Sequence, residues 1–129
     1  MTTDLWCVVA IALWGLLFTY VPVLGRVRKA GAAWGFGNRD GPLPEVAAWV
    51  LRGERAFANH MANLTPFVVF VLVAHVIGKN DEITAIASVV FVVARVLHSL
   101  LYVVGVAYVR TLAFWASLGS MGVILSRLV

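Results

Sequence analysis

Most side chains capable of chemistry in this chain lie on two short segments, each bordering or inside a long apolar run. The first, residues 52–67, reads RGERAFANHMANLTPF. Steps of three and four residues place four of its side chains on one helical face: Arg52, Arg55, Asn59 and Ala62. Two guanidiniums and a carboxamide on one stripe suit a carboxylate or a phosphate. The alternative is that the arginines reach lipid phosphates while Asn59 bonds a neighbouring helix.

The second segment carries Arg95, His98 and Tyr102 at positions i, i+3 and i+7, again on one helical face. Arg95 lies about nine residues from the nearer end of its apolar run, or roughly 14 Å deep. An arginine at that depth costs at least about 2.5 kcal/mol unless it is paired or hydrated. We therefore expect Arg95 to face the bundle interior, toward a bound anion or a carboxylate, with Glu54 as the nearest candidate. Bonding to backbone carbonyls and water is the alternative.

Further candidates are less specific. Arg110 and Thr111 open the last predicted helix, where a helix N-terminus can bind an anion or a thiolate, although an ordinary cap is the alternative. His98 is either a buried hydrogen-bonded group or an acid–base residue. His75 is expected at an interface, and the pattern gives His60 no clear role. Small residues on the last helix favour close packing against a partner helix: Ala116, Ser117, Gly119, Ser120 and Gly122.

The composition is typical of a membrane protein. Of 129 residues, 62% are hydrophobic and 12% are charged, whereas soluble domains are roughly half apolar and a quarter charged. Because a span needs about 20 apolar residues, we predict an all-α integral membrane protein, with one four-helix domain over residues 1–129. The predicted spans are residues 5–24, 45–78, 83–104 and 109–128. The second helix is longer than a bilayer requires, and we expect Pro66 to kink it.

The charged residues indicate topology rather than nucleic-acid binding, because the net charge of +4 gathers at the ends of the predicted spans. Most Lys and Arg flank the first and third connections, so the positive-inside rule places both connections in the cytoplasm and both termini outside. No Asp or Glu lies in the apolar part of a predicted span, which argues against a proton-coupled transporter. The single cysteine excludes an internal disulfide, and no clustered ligands predict a metal site.

Two motifs in order carry a family resemblance. Arg-Ala-x-x-Asn-His-x-x-Asn-Leu-x-Pro-Phe on the second helix and Ala-Arg-Val-x-His-Ser-x-x-Tyr on the third resemble the membrane-associated proteins in eicosanoid and glutathione metabolism. The resemblance covers nearly the whole chain, and residues 25–28 are similar to the family's basic stretch. It implies a homotrimer that binds and activates glutathione at three subunit interfaces on the cytoplasmic side. A lipophilic second substrate would arrive from the membrane lipid.

The resemblance also implies site residues. The glutathione-binding positions would be Arg28, Arg52, Arg55, Asn59, Arg95, His98 and Thr111. Arg28 would reach in from a neighbouring subunit, Arg110 would stabilise the thiolate, and Tyr102 would be a supporting donor. One departure stands out, since Ala62 occupies a position where the family usually has glutamate. Its loss makes the pocket more positive and leaves Arg95 without its expected partner.

The resemblance implies a glutathione-dependent transferase or peroxidase, which we expect in a bacterial inner membrane. Its thiolate would attack lipophilic electrophiles or lipid hydroperoxides. A free thiol has a pKa of about 8.5, so charge-assisted donors that lower it enlarge the thiolate fraction at neutral pH. The alternative is a non-catalytic trimer of the same fold that binds an anionic lipid or another ligand.

Overall fold

The computed structural model describes all 129 residues, and its regular structure is entirely helical. The helices are α1 (Thr3–Phe18), α2 (Tyr20–Ala30), α3 (Ala32–Phe36), α4 (Ala48–Val76), α5 (Glu82–Val104) and α6 (Ala107–Leu128). Four stretches are long and apolar enough to cross a membrane: Thr3–Ala30, Ala48–Val76, Glu82–Val104 and Ala107–Leu128. The prediction of an all-α chain with four helices of membrane-spanning length and composition is therefore confirmed.

The first span is longer than the sequence predicts. The helices α1 and α2 adjoin at Thr19, whose N–H donates to the carbonyl of Gly15, and α2 continues to Ala30. Pro22 sits in the first turn of α2, where a missing N–H costs little helical bonding. Basic residues end the apolar run at Arg26, but charge alone does not end a helix.

The connection between the first two spans also differs from expectation, because it contains the short helix α3. The next helix, α4, begins at Ala48 rather than near Pro44. Arg26 Nη1 donates to the carbonyl oxygen of Pro44 at 3.3 Å, which holds that segment against α2. Pro66 lies inside α4, which is continuous from Ala48 to Val76.

The antiparallel bundle has two unlike ends. One, which we call the basic end, contains the C-terminus of α2, the start of α4 and the α5–α6 turn. The other, the Asp81 end, contains the start of α1, the α4–α5 turn and the C-terminus of α6. The apolar core lies toward the Asp81 end and consists of Cys7, Ile11, Phe67, Val71, Ala87, Phe91, Met121 and Ile124. The rings of Phe67 and Phe91 stack there with centroids 3.9 Å apart.

The Asp81 end holds a compact polar network. Asp81 and Thr84 form a capping box at the start of α5, and Arg127 Nη2 donates to Asp81 Oδ2 at 2.6 Å. Asp4, which precedes the predicted first span, lies in the first turn of α1 and is only 4% exposed. Ser88 Oγ donates to Asp4 Oδ1 at 3.0 Å, which satisfies the buried carboxylate and fastens α1 to α5.

The small residues of α6 divide between two environments. Ser117 and Ser120 are buried within the bundle. A Cβ added to Gly119 or Gly122 would meet no atom within 4 Å. The serine side of α6 therefore packs within the bundle. The glycine side is free for contact with another helix or with lipid.

Candidate functional site

The α5–α6 turn brings an arginine of α6 onto an aromatic ring of α5. The turn reverses at Gly105, whose φ of +95° is a left-handed conformation that glycine adopts without strain. As a result Arg110 Cζ lies 4.1 Å from the centroid of the Tyr102 ring. The His98 ring packs edge-on against Tyr102 with centroids 5.6 Å apart. The cation–π contact fixes the guanidinium at the start of α6.

Arg52 supports this turn. Its Nε donates to the carbonyl oxygen of Val103 at 2.9 Å, which satisfies one of the carbonyls left unbonded at the end of α5. A Cβ on Gly105 would come within 3.3 Å of Arg52 Cζ. Glycine at this position thus serves both the left-handed turn and the close approach of Arg52. The guanidinium of Arg52 is committed through Nε to structure.

Asn59 is oriented by Arg95, the most deeply buried arginine of the chain. Arg95 is 0% exposed, so the expectation that it faces the interior is confirmed, and its Nη2 donates to Asn59 Oδ1 at 2.9 Å. A guanidinium cannot accept a hydrogen bond. The contact therefore places the oxygen of Asn59 toward Arg95 and leaves its NH₂ group free to donate to a ligand.

The prediction that Glu54 is the carboxylate partner of Arg95 is wrong. Glu54 instead forms a bidentate ion pair with Arg26, in which Arg26 Nη2 donates to Glu54 Oε2 at 2.9 Å. This pair joins α2 to α4 at the basic end. The register between these two helices decides the pairing, and no spacing within either helix reveals it. Sequence reasoning therefore missed the Arg26–Glu54 pair.

The four residues predicted to share a face of α4 diverge in their environments. Arg52 and Asn59 are half-buried against α5, whereas Arg55 and Ala62 are exposed on the free side of the helix. Arg55 makes no hydrogen bond within the chain. The face therefore lies along the border between the bundle and its surroundings, where a ligand can contact α4 without entering the core.

The remaining predicted residues lie at different depths. His98 is 3% exposed, and with Arg95 it lies inside the bundle, so direct ligand contact by either remains a prediction. Thr111 is exposed, and its hydroxyl donates to the carbonyl of Ala107 at 3.0 Å, which leaves oxygen lone pairs free. Arg28 is exposed at an open cavity of about 590 Å³ between the end of α2 and the start of α4, lined also by Lys29 and Trp49.

Histidine 60 is the buried residue whose position the sequence pattern did not indicate. Its ring is 0% exposed and fits against α1 at Gly15, where an added Cβ would lie 2.8 Å from His60 Nε2. No group of three or more His, Cys, Asp or Glu side chains is placed to hold a metal ion. The arrangement is instead rich in fixed hydrogen-bond donors, which suits an anion.

Comparison with known proteins places this arrangement in context. The MAPEG family model matches residues 5–129, a range that includes the greater part of the first span, the whole of the other three and every predicted site residue. No curated protein matches the chain. Because the family match covers nearly the full length, the chain belongs to the MAPEG family.

Proposed function

We propose that this protein is a glutathione-dependent transferase or peroxidase acting on lipophilic electrophiles or lipid hydroperoxides. The MAPEG family includes glutathione transferases and peroxidases as well as non-catalytic members. One observation carries the proposal: the Arg110 guanidinium is held 4.1 Å over the Tyr102 ring at the first turn of α6. A fixed cation beside a helix start without a side-chain cap is suited to stabilise an anionic sulfur.

The other donors match the rest of glutathione. The tripeptide carries two carboxylates and two peptide groups, which need several separated donors. Arg55 offers a guanidinium with no partner in the chain, and Asn59 offers the NH₂ group that Arg95 turns away from itself. Arg28 supplies a further exposed cation. In this proposal Arg95 and His98 are positioning residues, because both lie beneath the exposed donors.

The chemistry needs a thiolate and a cationic group of the protein that stabilises the negative charge on its sulfur. A guanidinium near the sulfur lowers the thiol pKa and enlarges the reactive fraction at neutral pH. With an electrophile, sulfur forms a bond to carbon and the leaving group departs with its electron pair. With a hydroperoxide, sulfur bonds to the terminal oxygen, the O–O bond breaks and the released alkoxide takes up a proton to give the alcohol. A second glutathione then converts the sulfenic acid to the disulfide and water.

We also propose that the protein acts as a homotrimer. Eight residues of α4, spaced alternately four and three apart, are all exposed: Leu51, Arg55, Ala58, Ala62, Thr65, Val69, Leu72 and Val76. This is the spacing of a helix seam that packs against another helix, and Ala58 and Ala62 permit close approach within a membrane. Because Arg55 lies on the seam, the ligand site would lie between protomers.

The orientation follows from the basic residues. We propose that the basic end faces the cytoplasm, where the positive-inside rule places it, and that both termini lie outside. Glutathione would then reach the site from the aqueous side while the lipophilic substrate comes from the bilayer. The assignment to a bacterial inner membrane remains a prediction.

The decisive experiment measures binding and turnover on the same preparation. The purified protein in detergent should sediment as a trimer, bind reduced glutathione by calorimetry and conjugate a chlorinated nitrobenzene or reduce cumene hydroperoxide above the uncatalysed rate. Arg55→Ala should weaken glutathione binding, whereas Arg39→Ala, in the exposed connection, should not. A folded trimer that binds no glutathione would rule out the proposal.

A second candidate is a non-catalytic member that binds an anionic lipid. It is favoured by the open cavity of about 590 Å³ at the basic end, where Arg28 and Lys29 lie beside Trp49. Basic residues near a membrane surface attract anionic headgroups. Binding of a short-chain phosphatidylglycerol to the protein in detergent, lost in an Arg28→Ala, Lys29→Ala double variant and accompanied by no glutathione turnover, would favour this alternative.

A further inference from the structure

The Arg95 guanidinium is buried with most of its hydrogen-bonding capacity unused. Its side chain is 0% exposed, and Nη2 donates to Asn59 Oδ1. Nε and Nη1 are inaccessible to solvent and have no partner in the chain. Buried polar groups are almost always hydrogen-bonded, so these two nitrogens require a partner that the polypeptide does not supply.

Two histidines extend the same polar layer. His60 follows Asn59 in α4, is 0% exposed, and has no partner at either ring nitrogen. His98, one turn along α5 from Arg95, has an unpartnered Nδ1. Arg95 bonds to Asn59, the residue before His60 in α4, so the three side chains belong to one layer of the bundle. Five buried nitrogen atoms without partners thus gather where α1, α4 and α5 meet.

The chain provides no negative charge to this layer. Glu54 is paired with Arg26, Asp81 is paired with Arg127, and Asp4 is hydrogen-bonded to Ser88. The other acidic residues, Asp40, Glu45 and Glu82, are exposed. A carboxylate of a neighbouring copy cannot contact Arg95, because that side chain exposes no surface. Water could satisfy the hydrogen bonds, but it would leave a buried charge uncompensated, which is strongly unfavourable.

We propose that a small inorganic anion of halide size binds inside the bundle, held by the unpartnered nitrogens of the Arg95 guanidinium. The anion neutralises the charge of Arg95 and thereby stabilises the hydrogen bond from Arg95 to Asn59. This site is separate from the proposed glutathione site, which lies at the exposed ends of Arg55, Asn59 and Arg110. The anion is therefore a structural component, and its binding does not depend on whether the protein turns over glutathione.

Thermal unfolding in detergent at constant ionic strength tests this proposal. Sodium chloride or sodium bromide is compared with sodium gluconate, whose anion is too large for a sealed interior site. An anion that binds only the folded protein raises Tm, and a shift of about 5 °C is expected at saturating halide. Arg95→Gln should abolish the difference between halide and gluconate. Arg127→Gln, which removes a guanidinium from an exposed ion pair, should keep it.

Each result decides the matter. Equal Tm values in halide and gluconate would overturn the proposal, and so would a halide effect that persists undiminished in Arg95→Gln. If Arg95→Gln does not fold, crystals of the unaltered protein grown in sodium bromide provide the test. An anomalous peak within about 3.5 Å of Arg95 Nε or Nη1 supports the proposal. A fully occupied water position there, without anomalous signal, overturns it.

Discussion

The two ends of the bundle treat polar groups in opposite ways. At the Asp81 end, acceptors meet donors within the chain: Asp4 binds Ser88 and Asp81 binds both Thr84 and Arg127. At the basic end, donors outnumber acceptors, because Arg28 and Arg55 are exposed and unbonded while Glu54 serves Arg26 alone. Satisfied networks hold helices together, whereas surplus donors of one charge attract a ligand. We therefore assign the first end to stability and propose the second as the ligand-binding end.

Removing Arg110 should produce the largest effect. Arg110→Ala deletes the cation proposed to stabilise the thiolate, and loss of one such fixed donor lowers kcat by about 10²-fold or more. Steady-state conjugation assays at saturating glutathione provide the measurement. Arg127→Ala, at the other end, is the matched control and should leave kcat unchanged. An equal decrease in both variants would show that the difference between the ends is one of folding rather than function.

Removing Asp4 should affect stability without affecting the site. Asp4→Ala leaves the Ser88 hydroxyl buried without its acceptor, and such a loss costs about 1–3 kcal/mol. Tm in detergent should therefore fall, while glutathione affinity measured on the folded fraction stays the same. Asp4→Asn keeps an oxygen that can accept from Ser88 and should lose less. Altered glutathione affinity in Asp4→Ala would contradict the division of roles between the two ends.

Two substitutions at Tyr102 separate its ring from its hydroxyl. The ring lies under Arg110, so Tyr102→Phe should retain the cation–π contact and most of kcat. Tyr102→Leu removes a contact of about 0.5–2 kcal/mol and should lower kcat by roughly two- to thirtyfold. Comparison of kcat in the two variants, at equal Tm, shows whether the ring or the hydroxyl of Tyr102 contributes to the reaction. If Tyr102→Phe, which keeps the ring, lowered kcat as much as Tyr102→Leu, the hydroxyl would instead be assigned as a direct donor to sulfur.

The sequence predicts more of the fold than of the partnerships within it. Apolar runs identify the four spans, and the cost of a deep arginine correctly predicts that Arg95 points inward. The partner of that arginine is not predictable in the same way, because Glu54 is drawn to Arg26 by the packing of α2 against α4. Asp4 precedes the apolar run, and its burial depends on Ser88 of a helix far along the chain. Features determined within one helix, such as its length and buried face, can thus be predicted from the sequence. Side-chain partners determined by the register between helices cannot.

The smallest expected effect concerns acid stability at the Asp81 end. The backbone N–H of Thr84 and then the Arg127 guanidinium hold the pKa of the Asp81 carboxyl below its ordinary value. A lowered folded-state pKa contributes stability that is present above the unfolded value of about 3.9 and is lost as pH falls through the folded value. Tm should therefore decline as the pH falls below about 4, and Asp81→Asn should weaken that dependence. Arg127→Gln should weaken it less, because the Thr84 contact remains and is the larger cause. If Arg127→Gln had the same effect as Asp81→Asn, the ion pair rather than the helix cap would fasten this end.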